Sequence, residues 1–135
     1  MKKGRLLNSE ISSVISRMGH KDHITVGDAG LPIPTGVKRI DLAVEKGVPT
    51  FLGTLEVILD ELKVEEVVIA KEMKTVSREF YFELFKLLEK KCGEITIVEV
   101  FHDEFKGMTK ESKAVVRTGE CTPYANIILK SGVTF

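Results

Sequence analysis

The sequence has little that would tie it to a charged partner, a membrane or an oxidising compartment. Lysine and arginine total 20 and aspartate and glutamate total 20, so the formal net charge is zero. That balance gives no electrostatic reason to expect nucleic acid or an anionic membrane as partner. It also sets up little repulsion between copies, so self-association is not opposed. Cysteine occurs twice, as Cys92 and Cys121, with no Cys-x-x-Cys pair. Two isolated thiols make neither a disulfide framework nor a zinc site, and they fit a reduced, cytoplasmic setting. No stretch approaches the ~20 apolar residues that a membrane span needs. The basic start, Met1 to Asn8, runs into Ser9, Glu10, Ser12 and Ser13 instead of the apolar core of a signal peptide. Gly27-Asp28-Ala29-Gly30 lacks the Gly-Lys-Ser/Thr ending of a Walker loop, and no Gly-x-Gly-x-x-Gly pattern occurs. The scattered histidines lack zinc-enzyme spacing. Neither metal nor cofactor is expected.

What is present is an alternation of helical and extended patterns. The 135 residues suggest one domain spanning 1–135. A chain of that size can bury roughly 65–70% of its unfolded surface. Ile11, Val14, Ile15 and Met18 recur at helical spacing, with Asn8 or Ser9 as cap and Gly19 where a stop is expected. Ile24 to Val26 reads as a strand, Gly27 to Gly36 as a turn-rich loop, and Arg39 to Val44 as a second strand. Phe51, Leu55, Ile58, Leu59 and Leu62 mark a helix. Val67 to Ala70 is a continuous apolar run, the mark of a strand covered on both faces. Ser77 is placed to cap a helix that ends near Gly93 and carries Phe80, Tyr81, Phe82, Leu84, Phe85, Leu87 and Leu88. So wide an apolar surface implies contact on more than one side. Strands at Ile95–Val100, 114–116 and 126–129, with a helical turn at 103–108, complete the pattern. The expected fold is a single α/β domain with a sheet of about six strands between helical layers.

Several polar residues stand where chemistry could be done, and each has a plainer reading. His20 falls just past the first helix, where the negative end of the helix dipole favours imidazolium; it is either a proton donor or a histidine that caps carbonyls. His23, next to Lys21 and Asp22, reads as surface. Asp28 follows a strand, where α/β folds collect ligand groups, and could accept from two sugar hydroxyls; equally, it could bond its own turn. His102 also follows a strand. The segment from Arg117 to Asn126 sets a guanidinium, a carboxylate, hydroxyls, a phenol and an amide between two apolar strands. Tyr124 could stack on a sugar, and Asn126 can donate and accept at once. A polar hairpin turn with Pro123 at its corner is the alternative.

The wording of these segments is similar to one family. Gly19-His20-Lys21-Asp22-His23-Ile24 with Asp28-Ala29-Gly30-Leu31-Pro32-Ile33-Pro34, then Gly47-Val48-Pro49-Thr50-Phe51, resembles its first signature. His102-Asp103-Glu104-Phe105-Lys106 resembles the second, and 114–120, 122–129 and 132–135 the third. The family is that of the ribose pyranases, the RbsD branch of the RbsD/FucU superfamily. The resemblance implies interconversion of the β-pyranose and β-furanose forms of D-ribose for ribose catabolism. It implies His20 as proton donor, and substrate contacts from Asp28, His102, Tyr124, Ala125 and Asn126, with Ala125 acting only by backbone or packing. It further implies a ring-shaped homo-oligomer, a decamer of two pentamers, with sites near subunit interfaces. The Ala-Gly-Leu-Pro-x-Pro loop favours ribose over the fucose mutarotase branch. The rival readings are a non-catalytic ribose-binding accessory of a sugar transporter and a mutarotase for fucose or a related sugar.

Overall fold

The computed structural model describes residues 1–135. The first helix, α1 (Ser9–Arg17), starts where the Asn8 side chain accepts from the Ile11 amide at 2.9 Å. Glu10 in its first turn and Arg17 in its last match the helix dipole. Its stop differs from expectation. Gly19 is not in the left-handed region; the chain turns because the Gly19 amide donates to the Asp22 carboxylate at 2.8 Å, and Lys21 takes the positive φ of 68°.

Strands β1 (His23–Gly27), β2 (Lys38–Asp41), β3 (Val64–Ala70), β4 (Thr96–Val100), β5 (Ser112–Arg117) and β6 (Ile127–Ser131) form one sheet in the order β2-β5-β1-β6-β3-β4. Strand β6 lies antiparallel between β1 and β3, and every other neighbouring pair is parallel. Five strands therefore end, and β6 begins, at the same edge of the sheet. Strand β2 is shorter than the sequence pattern suggests and stops at Asp41.

The central strands alternate between two cores. Ile24, Val26, Val67, Ile69, Ala114, Val116, Ile127 and Leu129 face a layer made by α1, α2 (Phe51–Leu59) and α4 (Arg78–Cys92). Val68, Val115 and Ile128 face the other way, against Phe105 of α5 (His102–Met108) and Leu31 of the loop after β1. Both faces being covered explains why these strands read as unbroken apolar runs. Phe51 and Phe105, fully buried on opposite faces, contribute about 1.5–3 kcal/mol each through burial.

Two local features escaped the sequence pattern. A four-residue helix, α3 (Met73–Val76), precedes α4. Ser77, expected to cap α4, makes no capping bond; its hydroxyl donates instead to the Pro123 carbonyl at 2.7 Å.

Candidate functional site

The antiparallel register of β1 and β6 sets two distant residues side by side. Val26 pairs with Ile127, so the chain leaving β1 meets the chain entering β6. Asp28 and Asn126 consequently bond reciprocally: the Asp28 amide donates to Asn126 Oδ1 at 2.9 Å, and Asn126 Nδ2 donates to Asp28 Oδ2 at 3.0 Å. Asp28 Oδ1 also accepts from the Gly30 amide at 2.9 Å, so the carboxylate does bond its own turn. Each carboxylate oxygen keeps acceptor capacity for a further donor. Gly27 permits the close approach, because a Cβ there would press on Leu31 and lie 3.1 Å from Asn126 Oδ1.

A second pair lies at the same edge. His102 opens α5 directly after β4, and its ring meets Tyr124 edge-on, centroids 5.0 Å apart at 85°. Phe105 lies nearly parallel to it and farther off, at 6.2 Å and 15°. Tyr124 holds a left-handed φ of 63°, which costs a non-glycine residue roughly 1–2 kcal/mol. The turn around it keeps it there, with the Ala125 amide donating to the Thr122 carbonyl and the Asn126 amide to the Tyr124 carbonyl at 2.8 Å. Ala125 is wholly buried in the larger core.

Residues without an assigned role in the sequence pattern brace this edge. Arg117 donates to the Ala29 carbonyl at 2.9 Å and to the Asp41 carboxylate at 3.1 and 3.2 Å. Burial raises the Asp41 carboxyl, but the Ala43 amide and the guanidinium outweigh it and hold the group below its ordinary value. Thr118 donates its hydroxyl to the Gly27 carbonyl at 2.8 Å. Glu120 accepts from the Phe51 amide and from the Thr122 amide and hydroxyl, which ties the start of α2 to the segment bearing Tyr124. Glu72 accepts from the His102 amide. The one local signal for Glu72 is its place just past an apolar strand; the bracing partners themselves lie tens of residues away, beyond any local spacing rule. A depression of about 830 Å³ lies beside the segment, lined in part by Ser77, Arg78, Glu120 and Thr122, but none of the six candidates lines it.

His20 is elsewhere. It precedes β1, whereas Asp28 follows it, and the strand between them spans about 13 Å. Within one chain His20 does not meet Asp28, His102, Tyr124 or Asn126. Its Nε2 lies 2.9 Å from Glu65 Oε2 in an exposed pair that is ionic whenever the ring is protonated. The side chain lines a depression of about 370 Å³ with Met18, Val133 and Phe135. His23, read as surface, is half-buried at the start of β1, with Nδ1 enclosed and without a partner.

Fold and polar edge together define an α/β protein of the kind that receives a small polar ligand at its strand ends. The chain belongs to the RbsD / FucU transport protein family, whose model matches residues 1–134. A D-ribose pyranase of Rhodopirellula baltica is 61% identical over 135 residues, covering the whole of both chains. The structure of Bacillus subtilis RbsD complexed with D-ribose is 46% identical and superimposes with a TM-score of 0.91 over the full length of both. The fucose mutarotase of Streptococcus pneumoniae, in complex with L-fucose, is 25% identical with a TM-score of 0.80, again over both full lengths. The resemblance carried by the motifs is thus borne out, as is the fold class.

Proposed function

We infer that this chain is a sugar-ring isomerase that interconverts the pyranose and furanose forms of D-ribose. Its full-length likeness to D-ribose pyranases supports this. The geometric observation that carries it is the Asp28–Asn126 pair set at the same edge as the His102–Tyr124 pair. A carboxylate and an amide match sugar hydroxyls, and an aromatic ring matches the apolar face of a sugar.

The reaction passes through the open-chain aldehyde. A proton goes to the ring oxygen, the C1–ring oxygen bond breaks, and the anomeric hydroxyl loses its proton. Reclosure through the 4-hydroxyl gives furanose and through the 5-hydroxyl pyranose; nothing is oxidised or reduced. In our reading His20 delivers the proton, Asp28, aimed by the buried Asn126, grips hydroxyls, and Tyr124 and His102 hold the ring, with Ala125 packed beneath. His102 is a candidate for the base. A positioned acid supplies ~10²–10⁴-fold, and holding the open chain with a hydroxyl facing C1 adds an orientation effect.

Because His20 lies at the far edge of its own sheet, a second copy must bring it to the sugar. That separation supports sites completed across an interface between copies, and the assembly we propose is the ring-shaped decamer of two pentamers. Exposed Phe82, Phe101 and Phe135 are available for such contacts. Residues 1–135 form the repeating domain, and the free thiols of Cys92 and Cys121 fit the cytoplasm, where furanose would enter ribose catabolism.

NMR exchange between ribose forms tests the assignment. His20→Ala should abolish catalysed exchange while ribose still binds. Mixing inert His20→Ala and Asp28→Ala copies should restore roughly a quarter of the sites if each draws on two chains. Unchanged exchange in His20→Ala removes His20 from the mechanism. The remoteness of His20 within one chain also keeps a second reading in view, a ribose-binding accessory of a sugar transporter. Binding without accelerated exchange in the wild type would establish that reading.

A further inference from the structure

We propose that Glu72 is the positioning residue for His102, holding its ring at the angle from which it meets the sugar. The proposal rests on the reading that His102 and Tyr124 touch the substrate. Helix α5 begins at His102, and the residue in its capping position is Phe101, whose side chain has no acceptor. The first amide of the helix therefore needs a partner from elsewhere. Glu72, thirty residues earlier, supplies it: both carboxylate oxygens lie 3.1 Å from the His102 amide nitrogen. The carboxylate is held at that spot by the chain between β3 and α3, where Glu72 precedes the first residue of α3. The Lys71 amide donates to the Val100 carbonyl at 2.8 Å, which locks the end of β3 to the end of β4.

The His102 ring depends on this unusually strongly. Its Nδ1 is buried and has no hydrogen-bond partner in the chain. No polar contact of the imidazole fixes its rotation; only the edge of Tyr124 and the face of Phe105 confine it. Aromatic walls limit tilt but leave the ring free to slide with the backbone. The angle between His102 and Tyr124 is therefore set by where the backbone of residue 102 sits, and Glu72 is the side chain that holds that backbone.

Three substitutions separate reach from charge. Glu72→Ala removes the acceptor. Glu72→Asp keeps the charge but withdraws it by one methylene. Glu72→Gln keeps an acceptor at the same reach. Losing a cap of this kind should raise the ribose concentration for half-maximal exchange roughly 3- to 30-fold in the Ala and Asp variants. The maximal rate should fall with it by no more than a similar factor, because the displaced ring is also the candidate base. Glu72→Gln should restore most of the loss. The His102 ring resonances should shift in the Ala variant and return in the Gln variant, which a contribution to stability alone would not produce.

His102→Ala runs beside them. If it leaves ribose binding unchanged, the reading of the site fails. If it weakens binding while Glu72→Ala does not, only the positioning role fails. Adding Glu72→Ala to His102→Ala should have no further effect on half-saturation; a further loss of the same size overturns the proposal, as does a Gln variant as impaired as Ala. Should the Ala variant not fold, the contrast between Asp and Gln decides.

Discussion

Replacing Asn126 by alanine tests whether the Asp28–Asn126 pair is what organises the sheet edge. The residue is 1% exposed, and its side chain makes two hydrogen bonds, both to Asp28. Truncation leaves the half-buried Asp28 amide without an acceptor and removes one donor from the carboxylate. An unpaired buried polar group costs about 1–3 kcal/mol, and a hydrogen bond to a charged group contributes about 1.5–3 kcal/mol. Water reaches the Asp28 side and recovers part of this, so a net loss of about 2–4 kcal/mol is expected. With a urea m-value of about 1.5–2 kcal/mol/M, the unfolding midpoint should fall by roughly 1–3 M at unchanged m. The Gly30 amide alone would then orient Asp28, and calorimetric ribose affinity should fall more than about tenfold, as a loosened carboxylate loses its charge-assisted contacts. Asp28→Ala and the double variant complete a cycle, with a coupling of about 1–2 kcal/mol expected for residues sharing two bonds. Stability of Asn126→Ala within about 0.5 kcal/mol of wild type, or additivity in the cycle, would refute the reasoning.

Two further outcomes concern the segment that carries Tyr124. Burial raises the Glu120 carboxyl, yet hydrogen bonds from Phe51, Thr122 and Cys121 hold it below its ordinary value near 4.5. The folded value lies beneath the unfolded one, so its stabilisation is full above that value and is lost as pH falls through the folded one. The thermal midpoint of Glu120→Gln should trail the wild type at neutral pH, and the gap should narrow on acidification below the glutamate range; a gap independent of pH counts against the assignment. At Gly119 an added Cβ would strike the backbone carbonyls of Val48 and Glu45, neither of which can turn aside as a side chain would. Gly119→Ala should cost about 2–3 kcal/mol, seen as a fall of roughly 10 °C in the melting midpoint. An unshifted melting curve would mean that the 45–49 loop gives way freely.

The strands most legible in the sequence were those covered on both faces. Val67 to Ala70 and Ala114 to Val116 read as apolar runs because one side chain faces α1, α2 and α4 and the next faces α5 or Leu31. Strand order and direction were not legible, since no local pattern says that β6 inserts antiparallel between β1 and β3. Helix α3 is too short to show a period. Ser77 carries a local capping signal that a tertiary partner overrides, the Pro123 carbonyl. Of the candidate residues, motif wording picked out four that the fold gathers at one edge, Asp28, His102, Tyr124 and Asn126, and Ala125 beneath them. What motif wording could not convey is distance: His20 and Asp28, eight positions apart, lie at opposite ends of β1.

The plain and the functional readings of these residues turn out not to exclude each other. Asp28 bonds its own turn through Gly30 and still has lone pairs to offer; Asn126 is buried in satisfying Asp28 and, by doing so, aims it. Tyr124 sits in a strained turn that Thr122, Pro123 and Ser77 maintain, so its ring is held before any ligand arrives. A small sugar offers few contacts, and affinity spent on ordering the protein would leave little for distinguishing one hydroxyl pattern from another. Side chains already fixed by the fold avoid that loss. On the proposed assignment of this edge to the sugar, the same hydrogen bonds that a structural account would call turns and caps would make it selective.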